Sequence, residues 1–241
     1  MTERLSFDGE FPFIDDNFRE ITDNIAEAAV KSGRKPEDIR LMAVTKTVQP
    51  ALINHALSLG IDLIGENKVQ ELMGKLEYLH ADSVEKHIIG HLQTNKVRKI
   101  IGTVSMIQSL DSISLADEIA LRAKAAGTVT DVLLEVNIGG ELSKTGFVYE
   151  ETLERALEIN EKEGVRIRGL MAVPPVCETE KEVRGYFEKM NGLFMNMQSI
   201  LKSRALPDTL SLGMSSDYVP AILEGSTMVR IGSALFGARR Y

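Results

Sequence analysis

Apolar positions along this chain fall into two alternating kinds of segment, short unbroken runs and longer stretches with helical spacing. Phe18, Ile21, Ile25, Ala28 and Ala29 repeat at helical intervals after the acidic pair Asp15 and Asp16, and Gly33 follows. The spacing predicts a first helix capped near Asp15 and stopped at Gly33. Residues 41–46, LMAVTK, form a run of the kind found in strands buried on both faces, and Pro50 then heads a helical segment that ends at Gly60. Further apolar runs lie at 62–66, 86–90, 104–110, 130–138, 167–173, 209–213 and 227–233, which brings the count of runs to eight. Segments such as SLADEIALRAKAAG and YEETLERALEINEKEG separate them by crossovers long enough for parallel pairing.

Strands alternating with helices imply a parallel sheet, and eight of them can close on themselves instead of leaving two open edges. A doubly wound open sheet is the competing arrangement, but its Gly-rich fingerprint is missing after the first strand, where LMAVTKTVQP stands. The expected fold is therefore an α/β single (β/α)8 TIM barrel spanning residues 1–241 as one domain. A length of 241 residues agrees with the roughly 250 residues usual for such barrels.

Composition narrows the function classes. With 44% hydrophobic and 26% charged residues the chain has enough apolar side chains for a large core. A net charge of -7 argues against a surface built for nucleic acid or anionic lipid, so any phosphate site has to be local. The opening MTERLSFDGEFPF lacks the features of a leader, and no apolar stretch approaches the ~18 residues of a membrane span, so a cytoplasmic protein is expected. The lone cysteine, Cys177, can make no internal disulfide, and no His/Cys/Asp spacing suggests a metal.

In a barrel, polar residues at the carboxyl ends of strands point into the site. Those positions here hold Lys46, Glu66 with Asn67, Gly90 with His91, Ser109 with Asp111, Asn137, Pro174 with Pro175, Ser211 with Ser215, and Arg230 with Ser233. A lysine held in low dielectric at a strand end loses stabilisation of its ammonium form and becomes a nucleophile toward aldehydes, so Lys46 is a candidate Schiff-base residue. Barrels often bind phosphate with the loops after the last two strands. SLGMSSD supplies Gly213, Ser215 and Ser216 after the seventh run, and RIGS supplies Gly232 and Ser233 after the eighth. The eighth strand pairs with the first on closure, which brings lysine and cradle together. Pyridoxal 5′-phosphate (PLP) unites aldehyde and phosphate; a phosphorylated aldehyde or ketone substrate of a Schiff-base aldolase satisfies the same two features.

The motifs AVTKTV, IGENKVQE, IGHLQTNK, EVNIGGELSKTGF, RGLMAVPP, SLGMSSD and STMVRIGSALFGARRY, in that order from Leu41 to Tyr241, resemble the pyridoxal phosphate homeostasis protein family. The resemblance implies a barrel like the N-terminal domain of alanine racemase, with PLP held covalently on the lysine of AVTK, Lys46. It implies Asn67 beside the ring, Ser215 reaching the phosphate, and Arg230 by the pyridine nitrogen. Gly232 and Ser233 would offer backbone N–H groups to the phosphate, with Ser211 also placed there and His91 on the pocket wall. Ser233 stands where threonine is expected in many relatives and keeps the hydroxyl. The implied role is a carrier or buffer in vitamin B6 homeostasis with no catalytic residue, PLP-dependent acceptor enzymes as its partners, and a monomeric state. The alternative is a PLP-dependent racemase or decarboxylase. In the resembling racemases a tyrosine from an added C-terminal domain of the partner supplies the second base, and a chain ending at Tyr241 directly after the barrel is not expected to carry one.

Overall fold

Pro12 opens the first helix, a position where its missing N–H costs no hydrogen bond. In the computed structural model, which describes residues 10–141, 143–201 and 206–237, α1 (Pro12–Lys31) thus starts before Asp15, and no side chain caps it. Asp15 lies inside the first turn and meets His55 Nε2 at 2.7 Å. Ile14, Ile21, Ile25, Ala28 and Ala29 form the buried stripe, and Gly33, at φ 75°, takes the left-handed conformation that ends the helix.

Each apolar run becomes a parallel strand because each is covered on both sides. The strands are β1 (Arg40–Val44), β2 (Leu63–Glu66), β3 (Glu85–Ile88), β4 (Met106–Leu110), β5 (Thr130–Asn137), the two-residue β6 (Phe147–Val148), β7 (Val165–Met171), β8 (Thr209–Ser211) and β9 (Met228–Ile231). The later helices are α2 (Pro50–Ser58), α3 (Val69–Lys75), α4 (Thr94–Val97), α5 (Ile113–Ala125), α6 (Thr152–Asn160), α7 (Glu180–Ile200), α8 (Tyr218–Leu223) and α9 (Ser233–Phe236). β1 pairs with both β2 and β9, and β4 pairs with β5, so eight strands close into a (β/α)8 barrel while β6 extends the end of β5 outside the ring. Pairing stops at Val44 and at Ile231, which leaves Lys46 and the Gly232–Ser233 turn just beyond the carboxyl ends of neighbouring strands.

The pleat sends alternate side chains to opposite faces. Ala43, Ile64, Ile107 and Val229 join the main core between barrel and helices. Met42, Leu63 and Met228 form one small cluster on the other face, and Met106, Leu133 and Met171 a second. Among the described residues no helix is long and apolar enough to cross a membrane. Tyr241, Leu142 of the EVNIGGELSKTGF motif and the opening nine residues of the chain lie outside the described residues.

Candidate functional site

Lys46, half-buried, lies on the wall of a cavity of about 690 Å³ at the carboxyl ends of β1 and β9. Gly232 and Ser233 line the same cavity, and Phe11, Phe13, Leu52 and Phe236 make its apolar wall. The next residue, Thr47, has φ 62° and is the one non-glycine residue with positive φ among those described.

The loops after β8 and β9 are joined into one structure. Ser215 Oγ accepts from the backbone N–H groups of Gly232 (3.2 Å) and Ala234 (3.1 Å), and the Gly213 carbonyl accepts from the Arg230 N–H (3.0 Å). Gly213 is required here: at φ 87° a Cβ would stand 2.7 Å from Ala221 Cβ and 2.8 Å from Tyr218 Cα. A hydroxyl and two backbone donors therefore converge beside the Ser233 turn, a donor set that suits the oxygens of a phosphate.

Arg230, on β9, is buried inside the barrel. Its Nη1 donates to the Ser211 carbonyl (2.6 Å) and hydroxyl (2.7 Å), and its Nη2 to the Ala172 carbonyl (2.9 Å). Burial pushes its guanidinium down to about 10, so it stays cationic near neutral pH. The Ser211 hydroxyl donates in turn to Gln108 Oε1 (2.8 Å), and Gln108 Nε2 donates to His87 Nδ1 (2.9 Å). His87 then keeps its proton on Nε2, which stands 3.4 Å from Glu85 Oε2. A chain of polar side chains thus crosses the barrel interior behind Arg230. Ser211 belongs to this chain and not to the loop donors, because its position on β8 faces the interior while the cradle is built from residues past the strand end.

Asn67 is half-buried directly after β2, and its backbone packs so closely on Gly90 that a Cβ there would stand 2.7 Å from the Asn67 carbonyl oxygen. His91 sits at the rim with its ring 55% exposed and Nδ1 2.8 Å from Asp111 Oδ2. The Ser109 hydroxyl on β4 donates to the Gly90 carbonyl beyond the end of β3, and Asn137 ties its own loop through the Glu141 backbone. Pro174, Pro175 and Cys177 line a separate cavity of about 490 Å³. Burial there pushes the Cys177 thiol up, which disfavours the thiolate a nucleophile needs. Sequence reasoning missed Phe11, Phe13, Gln108 and Glu135. Gln108 carries a signal, as a polar residue beside Ser109 within the 104–110 run. Glu135 accepts from Thr145 Oγ1 (2.9 Å), and burial, then Asp111, pushes its carboxyl up.

The family described as alanine racemase, N-terminal domain, matches residues 17–240. A pyridoxal phosphate homeostasis protein of Aquifex aeolicus is 44% identical over 222 residues, covering 92% of this chain and 96% of the relative. The crystal structure of an unknown protein from Bifidobacterium adolescentis superposes with a TM-score of 0.87 at 34% identity, covering 97% of this chain and 100% of that one. PipY of Synechococcus elongatus, solved with PLP bound, gives a TM-score of 0.75 at 31% identity over 88% of this chain and 100% of its own.

Proposed function

Since the chain belongs to the pyridoxal phosphate homeostasis proteins, within the family of alanine racemase N-terminal domains, we propose that it binds PLP and holds it for homeostasis, without turning over amino acids. The observation that carries this reading is the single cavity shared by Lys46 and the Gly232–Ser233 turn, with Ser215 bridged to that turn by two hydrogen bonds. Bound there, PLP supplies an aldehyde carbon that a lysine amine can attack and a phosphate group that needs donors.

The residues present fit both requirements. Lys46 offers the amine from the wall of the cavity. Ser215, Ser233 and the N–H groups of Gly232 and Ala234 offer hydrogen bonds to an anion. Arg230 offers a cation that does not release its proton near neutral pH, with its planar fork held by Ser211 and Ala172. Asn67 stands after the strand next to β1, on the side of Lys46 away from the cradle. PLP-dependent enzymes that lack their cofactor are the partners this reading implies, and the whole barrel serves as one binding domain.

The test is the visible spectrum of the purified protein with PLP, before and after borohydride reduction, followed by mapping of the modified peptide. The expected result is one reduced adduct, on Lys46. Modification of another lysine, or none, refutes the assignment.

A further inference from the structure

The residues on either side of Lys46 are held by one linked set of three side chains. Before it, the Thr45 carbonyl accepts from Lys75 Nζ (2.7 Å), and the Thr45 hydroxyl donates to Glu66 Oε2 (3.0 Å). After it, the Thr47 backbone N–H donates to Glu71 Oε1. Lys75 closes the set by donating to Glu66 Oε2 (3.0 Å) and Glu71 Oε1 (2.6 Å). The three acceptors match the three donors of an ammonium group. Glu66 is 0% exposed and the Lys75 side chain 12%, so the bonds that join Lys75, Glu66 and Thr45 are made largely away from solvent, while the bond from Thr47 to Glu71 lies toward the surface.

This arrangement explains how Thr47 holds φ 62°. A β-branched residue avoids that region, and it persists there only when surrounding contacts over-determine it. The turn at Thr47 takes the chain out of the β1 direction and toward Pro50 of α2, immediately after Lys46. Glu71 and Lys75 lie one turn apart on α3, with the acid toward the N-terminus, the favourable order on a helix. Burial pushes the Glu66 carboxyl up even with Lys75 beside it, so without Lys75 two neighbouring carboxylates would resist ionising together.

We propose that Lys75, acting through Glu66 and Glu71, is a positioning residue for Lys46: it clamps the backbone from Thr45 to Thr47 so that the Lys46 amine meets the cavity in one fixed place. This rests on Lys46 being the residue that takes the cofactor. Lys75 does not line the cavity that holds Lys46.

The test compares the wild type with Lys75→Met, Glu71→Ala and Lys75→Met/Thr47→Gly. Glu71→Ala changes a partly exposed helical position and keeps the test open if Lys75→Met does not fold. Three quantities are read: hydrogen exchange at the Thr47 amide without ligand, the borohydride-trapped adduct as a function of PLP concentration, and the affinity for pyridoxine 5′-phosphate, which carries the phosphate but no aldehyde. Both single variants should lose Thr47 protection and need about tenfold more PLP for half-maximal adduct, while pyridoxine 5′-phosphate binds within about twofold of wild type. Thr47→Gly should restore part of the adduct lost in Lys75→Met, because glycine adopts the turn without strain. Unchanged Thr47 protection, or equal weakening of both ligands, overturns the clamp. A wild-type chain that forms no adduct on Lys46 overturns the cofactor reading instead, and the two failures are separable because Thr47 exchange is measured without PLP.

Discussion

Replacing Ser215 and Ser233 together by alanine tests whether the loops after β8 and β9 hold a phosphate. Ser215 Oγ accepts from Gly232 and Ala234 at 3.2 and 3.1 Å, so a phosphate oxygen would compete with that hydroxyl for the same donors. Binding would exchange those two bonds for charged ones and let the Ser215 hydroxyl donate as well. A hydrogen bond to a charged group contributes about 1.5–3 kcal/mol, and the two hydroxyls would at face value be worth about 3–6 kcal/mol. Two corrections reduce this. Ser215→Ala also frees Gly232 and Ala234 from bonds that binding must break, and Ser233 is exposed, so water replaces part of what its hydroxyl provides. The expected net loss is about 1.5–3 kcal/mol, or at least about tenfold in affinity for PLP. Pyridoxal, which lacks the phosphate, should lose much less. Equilibrium titration of both compounds by their visible absorbance measures the ratio. Equal losses for PLP and pyridoxal would refute the cradle and place these serines elsewhere in recognition.

Lys46→Ala should abolish the borohydride-trapped adduct yet retain weak PLP affinity, because the cradle lies on other strands; a retained adduct in that variant would count against the site. Incubating the PLP-loaded protein with L-alanine in deuterium oxide should give at most slow α-proton exchange and no D-isomer, since Arg230, at about 10, does not protonate a ring nitrogen near neutral pH; D-alanine at enzymatic rates would promote the racemase alternative. The buried His87 has its pKa lowered from 6.5, first by desolvation, so the unfolded chain takes up a proton that the folded one refuses as pH falls through 6.5. Stability to urea should therefore decline as pH falls through 6.5, and His87→Leu should flatten that decline; an unchanged slope in the variant would place the acid sensitivity in another group.

Periodicity and turn chemistry made much of this protein legible in its sequence. The eight apolar runs correspond to the eight barrel strands within a few residues, because strands covered on both faces leave unbroken apolar segments. Lys46 and the glycine–serine turns were readable because they stand at strand ends, and closure of the barrel brings the last strand beside the first. Other features depend on contacts between residues far apart in the chain. Ser211 reaches Gln108 across a separation of 103 residues, and neither local sequence shows that the two side chains face each other inside the barrel. Which face a side chain takes depends on a pleat of period two, and a shift of one residue in a strand's end moves it from the loop donors to the interior. Thr47 is of a type that avoids positive φ, so only the assembled contacts of Lys75, Glu66 and Glu71 account for the turn that follows Lys46. The types of element and the candidate lysine were thus written in local chemistry, whereas the partners that orient Lys46 and Arg230 were decided by which strand ends the closed barrel brings together.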